Sequence, residues 1–507
     1  MHLFTIIAFA VLFWRAESQR SWRIVPADDF SWTMALVLGH VVGVALTAKV
    51  MVFLARRRLS RPGAVATAIE FHHRATFFLR LLLTGGFVTI VLLTRWAEWF
   101  ELDHISPLVQ IVGDLIVLTP YFAGCLVLWL VAYPLERRFR GLDQAIAVPG
   151  CDPQWRLSSY LDFNIRHHLL VVAVPMTIIL FASDITRGYG AAIRAWSGSI
   201  WMPDVLLSVA AAIVFVTAPL MLRRIWRTTP LPAGHLRERL EALCRRIGLR
   251  CRDILIWKSD GIMINAAVMG IVPRVRYVLL SDALLATMTP RQVEAVFGHE
   301  AGHIRHRHIQ HFLVFALVGW MVVSAMMELL ARTSTGAGGP WSVSFMAIEG
   351  VGIVATVLFW GLGFGWVSRR FERQADLFGA RCVTPGNTDC DRPCSVHPDE
   401  STTLPADGRV CATAAAVFAS ALQRVAVLNG IPAHERSWRH SSIGSRIGFL
   451  TSISADPGLA VRFERTVRRI KSAMLSAALL GAAASAYYWF SIPQMALLQL
   501  QATAALR

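Results

Sequence analysis

Charged side chains are scarce in this chain: of its 507 residues, only 16% are Asp, Glu, Lys or Arg. Soluble proteins carry about 25% charged residues on average, so the composition argues against a soluble protein of this length. Hydrophobic residues make up 55% of the chain. They are concentrated in blocks of about 20 residues, the length that crosses the hydrocarbon core of a bilayer. The composition therefore predicts a membrane protein.

Acidic residues are also few, 33 against 50 basic residues, and the formal net charge is +17. A positive excess can indicate nucleic-acid binding. The arginines, however, cluster at the ends of the apolar blocks, as Arg56, Arg57 and Arg58 do. Basic residues in such places set the orientation of membrane segments. We therefore expect the chain to be embedded in a lipid bilayer and to have no nucleic-acid partner.

The eight cysteines do not follow the spacing of a small disulfide-stapled domain. Four of them, Cys382, Cys390, Cys394 and Cys411, crowd into one polar stretch together with His397. Three states fit this cluster: separate thiols, a disulfide pair, or a second zinc site. The spacing of Cys390 and Cys394 is not a strong zinc signature, so all three alternatives stay open.

Eight apolar blocks are long enough to span a membrane. If every basic cluster lies in the cytoplasm, the first seven blocks alternate in direction without adjustment, and the two polar segments at about 228–311 and 368–470 face the cytoplasm. A further apolar run at 3–14 lacks a preceding Lys or Arg, so it makes a poor signal peptide. Whether this run and the last block span the membrane stays open. The eight blocks are 32–54, 77–94, 107–133, 168–183, 201–221, 312–330, 345–367 and 472–490.

The polar segment after the fifth block has the pattern of helix, short strands and helix. Its first helix should end at Gly248. The runs DILIWKS, INAAVMGI and YVLLS are typical of strands. Thr289, Pro290 and Gln292 then provide an N-cap, a proline at the first helical position and the partner of a capping box. They predict the start of the second helix.

This second helix carries the pattern H-E-x-x-H as His299, Glu300 and His303. Side chains four residues apart lie on one helical face, so both imidazoles can reach the same metal ion. Glu300 lies about 100° round the helix, where it can reach a water in the open position of that ion. Zinc makes such a water acidic, and a carboxylate there can accept its proton. The alternative is a histidine-rich solvated face, since further histidines such as His308 follow.

A catalytic zinc site needs a third protein ligand. A ligand on the same straight helix, such as His306, would strain a tetrahedral site. The segment SRRFERQADLFG places Glu372 and Asp376 on one helical face. The two spans before it return the chain to the membrane side of His303. We therefore expect Glu372 to bind the metal and Asp376 to hydrogen-bond a ligand imidazole; the alternative is an ordinary charged surface helix.

HEAGH and, two spans later, SRRFERQAD resemble the motifs of the integral-membrane zinc peptidases of the CAAX prenyl protease and HtpX type. In these peptidases the E-x-x-x-D helix supplies the third ligand. The resemblance covers 228–311 and 345–450, and it implies one zinc ion per chain, held by His299, His303 and Glu372. The long spans before the metal helix are more similar to the CAAX protease branch.

Two further segments match the same peptidases. SDGIMINAAVMG resembles their Asn-Ala strand beside the active site, which implies substrate binding at Asn265 and Ala266. A strand of small side chains beside a zinc helix can also offer backbone groups to an extended peptide. WRHSSIGSRIGFL resembles a late segment in which His440 would stabilise the oxyanion and Arg446 would support the site, although Ser441 stands where proline is common. The alternative for the INAAVMGI strand is a plain core strand, and the alternative for His440 is an ordinary surface or core histidine.

These patterns predict an α-helical multi-span membrane protein with a zincin-like α+β metallopeptidase domain on the cytoplasmic side. It would hydrolyse a protein or peptide substrate, either a prenylated C-terminal peptide or a misfolded membrane protein. The rival hypothesis is a membrane scaffold that binds zinc without hydrolysis and would not need Glu300. The expected parts are an N-terminal spanning region, the first catalytic part, a membrane helix pair, the second catalytic part and a C-terminal apolar helix with its tail, at 1–227, 228–311, 312–367, 368–470 and 471–507.

Overall fold

A computed structural model describes most of the chain. The described residues form two compact units, Met1–Thr229 with Trp257–Gly261, and Pro230–Ile256 with Ile262–Arg507. The described ranges are 2–18, 30–61, 63–142, 156–261, 263–335, 345–384, 409–429, 431–435 and 439–505.

The first unit is built from helices, most of them long and apolar. Leu83 and Val44 are buried where these helices pack, whereas Leu46 and Phe53 remain 57% and 61% exposed. Exposed apolar side chains of this size are unfavourable in water and suit a lipid environment. In chain order the helices are α1 (His2–Ser18), α2 (Phe30–Leu59), α3 (Val65–Leu93), α4 (Gln110–Val117), α5 (Thr119–Leu142), α6 (Leu157–Asn164), α7 (Val171–Gly188), α8 (Gly190–Ser197) and α9 (Met202–Ile225).

The secondary structure that follows alternates short strands with helices and then becomes helical throughout. The strands are β1 (Thr228–Pro230), β2 (Asp253–Trp257), β3 (Ala266–Met269) and β4 (Tyr277–Ser281). The helices are α10 (His235–Ile247), α11 (Asp282–Thr287), α12 (Pro290–Arg305), α13 (His308–Thr335), α14 (Phe345–Leu358), α15 (Gly365–Cys382), α16 (Ala412–Leu428), α17 (Ile443–Ala455) and α18 (Pro457–Ala505).

The four strands form one sheet in the order β1-β2-β4-β3. β3 and β4 are antiparallel, with Ala266 opposite Leu280 and Met269 opposite Tyr277. Every residue of β4 is buried, so β4 anchors the sheet in the interior of the second unit. β3 is the outer strand on the other side of β4, and it packs against α12.

The helix boundaries near the H-E-x-x-H pattern follow the predicted signals. Gly248 ends α10 in the left-handed conformation, with φ of +66°, which glycine adopts without steric cost. At the start of α12, the Thr289 hydroxyl accepts from the backbone N–H of Gln292, and the Gln292 side chain accepts from the backbone N–H of Thr289. This capping box satisfies two helix-end donors.

Eight helical segments among the described residues are long and apolar enough to cross a membrane. Each overlaps one of the apolar blocks of the sequence, so the expected multi-span α-helical architecture is confirmed. The apolar run His2–Arg15 is shorter and is not among them, whereas the last predicted block is included. The eight segments are Phe30–Leu59, Val65–Leu93, Gln110–Phe139, Leu157–Gly188, Met202–Ile225, His308–Leu330, Gly350–Cys382 and Pro457–Tyr487.

Candidate metal centre

Helices α12 and α15 approach closely because glycines stand where they meet. A Cβ atom on Gly379 would lie 2.8 Å from the carbonyl oxygen of Ala295 and 2.9 Å from the backbone nitrogen of His299. A Cβ atom on Gly302 would lie 3.1 Å from Cα of Ala375. Side chains at these glycine positions would force the helices apart. Their absence lets α12 and α15 present polar side chains to a common point.

Donor atoms of three residues converge at this point. His299 Nε2 lies 3.2 Å from His303 Nε2 and 3.6 Å from Glu372 Oε2. His303 Nε2 lies 3.7 Å from Glu372 Oε1. These are the three residues expected to bind metal, and among the described residues they form the one group of His, Cys, Asp and Glu whose donor atoms could share an ion.

The donor set fits zinc. Bonds of about 2.0–2.1 Å in a tetrahedral arrangement place ligand atoms about 3.3 Å apart, close to the three observed separations. Two imidazoles and one carboxylate leave a fourth position open, as catalytic zinc sites require. Burial lowers the pKa of His303 to about 4, so its ring is neutral at physiological pH and can donate a lone pair to a metal.

Asp376 lies behind His299. Its Oδ1 is 2.9 Å from His299 Nδ1, and its two oxygens accept hydrogen bonds from Arg446 at 2.8 and 2.5 Å. Asp376 is fully buried and Arg446 is 7% exposed. Burial alone would lower the pKa of His299, but Asp376 outweighs it and the pKa is raised. The carboxylate therefore favours a proton on Nδ1 and leaves Nε2 turned toward the other donors.

The side chain of Glu300 extends from α12 to β3. Its carboxylate accepts a hydrogen bond from the backbone N–H of Val268, which joins the motif helix to the outer strand. Burial raises the pKa of Glu300 to about 7, while the neighbouring His299 opposes the rise and Glu372 adds to it. A carboxyl group so placed can hold or release a proton near neutral pH.

His440 contacts Glu372 directly: its Nδ1 lies 3.0 Å from Glu372 Oε2, and its side chain is 47% exposed. The next residue, Ser441, has φ of +62°. Proline, whose φ is fixed near −65°, could not adopt that conformation. Asn265 and Ala266 lie at the start of the outer strand, where the Asn265 side chain accepts from the Ala266 N–H at 3.0 Å.

Two features of the centre were missed in the sequence analysis. The first is the glycine contact, for which the i, i+4 pair Gly298 and Gly302 was a visible signal of close helix packing. The second is His308, which was named only under the alternative of a solvated histidine face and is fully buried against Phe371. Its burial comes from residues far away in the chain, so the local pattern carried no sign of it.

The cysteine cluster lies mostly outside the described residues, which include neither Cys390, Cys394 nor His397. Cys382 is buried at the glycine contact, where its Sγ would lie 2.9 Å from a Cβ on Gly298. Cys411 caps α16 by accepting the N–H of Ala414. Both described thiols thus have packing or capping roles.

The sequence of this region matches a known family. Residues 230–452 match the model of peptidase family M48. This segment is similar to the M48 peptidases. It contains the three donor residues, Glu300, and both segments that hold His440 and Asn265.

Curated proteins give the same result over similar stretches. A protease HtpX homolog of Aeropyrum pernix is 27% identical over 190 residues, which cover 36% of this chain and 57% of the relative. A second, of Pyrobaculum aerophilum, is 26% identical over 234 residues, with 45% and 64% covered. CAAX prenyl protease 1 of Saccharomyces cerevisiae is 23% identical over 141 residues, with 27% and 31% covered. The chain thus spans about half to two thirds of the length of the first HtpX homologs that it matches.

Among solved structures, S. mikatae Ste24p is similar to this chain with a TM-score of 0.47 and 15% identity, over 88% of this chain and 98% of that one. The match to family M48 and the matched relatives confirm the resemblance to membrane metallopeptidases of the HtpX and CAAX prenyl protease type.

Proposed function

We propose that this chain is a zinc-dependent endopeptidase of the membrane, in which His299, His303 and Glu372 hold one zinc ion and Glu300 is the general base. The observation that carries the proposal is the convergence of two imidazole nitrogens and the Glu372 carboxylate, with separations of 3.2, 3.6 and 3.7 Å. The match of residues 230–452 to peptidase family M48 supports it, because a peptidase acts on peptide bonds.

Zinc, when bound, would polarise the scissile carbonyl and make a water molecule more acidic. Glu300 would accept a proton from that water and return it to the leaving amine. The hydrogen bond from Val268 holds the carboxylate in place for both transfers. A scaffold that only binds zinc has no use for Glu300, so the presence and placement of this side chain favour hydrolysis.

The outer strand supports binding of an extended peptide. The backbone N–H of Ser281 donates to the carbonyl of Asn265, so Asn265 and Ala267 direct their backbone groups toward β4, and Ala266 and Val268 direct theirs to the other side. On that outer side the N–H groups of Ala266 and Val268 contact the side chains of Asn265 and Glu300. A peptide strand added at this edge would lie beside Glu300.

His440 supports peptide binding at the same site. Its ring is held by Glu372 at one nitrogen and is about half exposed, so its outer edge can meet a bound peptide. We assign it to stabilisation of the negative charge that develops on the carbonyl oxygen. Arg446 acts through Asp376 and not through the substrate, since it is buried and bonded to that carboxylate.

The substrate class divides into two candidates. The Saccharomyces cerevisiae relative is named for cleavage of prenylated CAAX proteins, whereas the HtpX homologs are named only as proteases. Both fit an extended peptide at β3. The basic clusters at the span ends support a cytoplasmic side for the site, where either substrate would be available.

Purified protein incubated with a prenylated C-terminal peptide and, separately, with an unfolded membrane protein tests the proposal. Cleavage of either by the parent, with loss of cleavage and retention of zinc in Glu300→Gln, is the expected result. If the parent binds zinc but cleaves neither, the non-hydrolytic scaffold is favoured instead. Cysteine labelling that places residues near 300 and 372 on opposite membrane faces would exclude a shared ion.

A further inference from the structure

A chain of hydrogen bonds extends from the second ligand histidine into the interior of the second unit. His308 Nδ1 lies 3.0 Å from His303 Nδ1. His308 Nε2 lies 3.0 Å from Gln374 Oε1, and Lys471 Nζ lies 2.9 Å from that same oxygen. The four residues come from α12, α13, α15 and α18, so tertiary packing alone brings them together.

His308 is held rigidly in this position. It is fully buried, and its ring stacks on Phe371 with centroids 4.4 Å apart and planes 6° from parallel. Phe371 immediately precedes Glu372, the third ligand. Lys471 is anchored as well, since Nζ also donates to the carbonyl oxygen of His306 at 2.8 Å.

The donors and acceptors in this chain of bonds have one consistent assignment. An ammonium group can only donate, so the atom of Gln374 that faces Lys471 must be its oxygen. His308 Nε2 faces the same oxygen and therefore carries a hydrogen. A second positive charge beside Lys471 in a fully buried place is unfavourable, so the His308 ring is neutral and its Nδ1 accepts.

The consequence reaches the metal centre. His303 Nδ1 must donate to His308 Nδ1, which leaves Nε2 of His303 without a hydrogen and with its lone pair directed at the other two donors. We infer that His308, fixed by Gln374 and Lys471, is a positioning residue that sets the tautomer and ring orientation of His303 for zinc. The inference rests on the proposed function, because it concerns the same ion.

The two ligand histidines are thus supported differently. His299 is backed by a buried carboxylate, Asp376, whereas His303 is backed by a neutral imidazole. Partners of either kind fix a ligand ring, and their removal typically weakens metal binding or activity about 10–100-fold. A neutral partner adds no negative charge to the site, where Glu372 and Glu300 already supply two carboxylates.

Three substitutions of His308 separate this role from packing. His308→Phe keeps the ring that stacks on Phe371 and loses both hydrogen bonds. His308→Asn keeps an acceptor oxygen at the position of Nδ1, facing His303. His308→Gln keeps a polar group at the position of Nε2, facing Gln374, and removes the acceptor for His303. His311→Gln, on the next turn of α13, is the control. The hydrogen bond of the His311 ring joins Nδ1 to the backbone carbonyl oxygen of Arg307, outside the chain of bonds that ends at His303.

The measurement is zinc affinity of the metal-stripped full chain in detergent, by titration with zinc alone against a competing chelator. We expect His308→Phe and His308→Gln to bind zinc about 10–100-fold more weakly than the parent. His308→Asn and His311→Gln should stay within about threefold of it, because the bond to His303 is kept or untouched.

Two results would overturn the inference. Parent-like zinc affinity in His308→Phe and His308→Gln would show that His303 needs no partner. An equal loss of zinc affinity in His308→Asn and His308→Gln would show that His308 contributes only packing. If His308→Phe does not fold, the Asn and Gln variants decide alone. A parent that binds no zinc would remove the proposed function and this inference with it, whereas a zinc-binding parent with unaffected variants removes only the inference.

Discussion

Helix α12 brings His299, Glu300 and His303 to the metal centre, and helix α15 brings Glu372 and Asp376. The α12 groups exchange protons or donate neutral lone pairs. The α15 groups are anions in buried places, 6% and 0% exposed. Burying a carboxylate is costly unless it is paired and hydrogen-bonded, so the two helices pose different physical problems.

The difference is visible in the partners that each helix needs. The α12 groups lie within five residues of one another, and their arrangement follows from helix geometry alone. The α15 anions require compensation from elsewhere: Asp376 is bonded to Arg446 on α17, and Glu372 contacts His440 just before that helix. Under the proposed function, α12 carries the chemistry and α15, with the segment from 439 onward, controls charge at the site.

The largest effect is expected from removal of the anionic ligand. Glu372→Ala should lose bound zinc and all measurable peptidase activity, because two imidazoles alone hold zinc weakly. Elemental analysis of the purified protein is the measurement. Glu464→Ala, which removes a carboxylate paired with Arg381 on another face of α15, is the control and should keep its zinc. Undiminished zinc in Glu372→Ala would exclude Glu372 from the site.

The next effect separates chemistry from metal binding on α12. Glu300→Gln preserves volume and a hydrogen-bonding group but cannot accept a proton, so turnover should fall by about 10²–10⁴ while zinc content is kept. His303→Ala should lose zinc and activity together. Turnover rates and metal content of both variants are the measurements. Near-normal turnover in Glu300→Gln, in a preparation free of other peptidases, would show that another group is the base.

The same division explains what could be predicted from the sequence. The spacing of His299 and His303 and the cap at Thr289 are local signals with a fixed structural meaning. The three predicted strand runs are local signals too, and all three contain a strand of the structure. β1 was missed, because three residues that include a proline offer no periodicity. Glu372 could be proposed only by adding span topology to the E-x-x-x-D pattern.

Contacts between residues far apart in the sequence could not be predicted from local patterns. Nothing in the sequence near His308 indicates Gln374 or Lys471, the latter more than 160 residues away. A cluster of histidines is typical of solvated surface, and only the packing of four helices makes one of them an interior residue. The pairing of Arg446 with Asp376 is of the same kind, since 70 residues separate the two.

The third prediction concerns charge compensation on α15. Arg446→Met leaves Asp376 buried without its cation, and the free energy of unfolding should fall by about 3–5 kcal/mol. Denaturant titration of the detergent-solubilised protein measures this. The double variant Asp376→Leu with Arg446→Met should be more stable than the single one, because it leaves no buried charge unpaired.

A matched control comes from an exposed pair. Arg462 contacts Asp456 at 2.8 Å, with side chains 64% and 54% exposed, so Arg462→Met should cost less than about 1 kcal/mol. If Arg446→Met is no more destabilising than Arg462→Met, the buried pair does not stabilise α15 and the proposed division between the helices is wrong.

The smallest effect is expected where the two helices touch. In Gly379→Ala the new Cβ would meet backbone atoms of α12, the carbonyl oxygen of Ala295 at 2.8 Å and the nitrogen of His299 at 2.9 Å. Backbone cannot rotate away as a flexible side chain can, so the helices must separate slightly, at a cost of about 1–3 kcal/mol in unfolding free energy. Because His299 itself is displaced, zinc affinity should fall as well.

Gly448→Ala in α17 is the control. Its new Cβ meets nothing within 4 Å, and the free energy of unfolding should rise by about 0.5–1 kcal/mol from helix propensity. Equal stability and equal zinc affinity of Gly379→Ala and the parent would mean that the close approach of α12 and α15 is not needed to assemble the site.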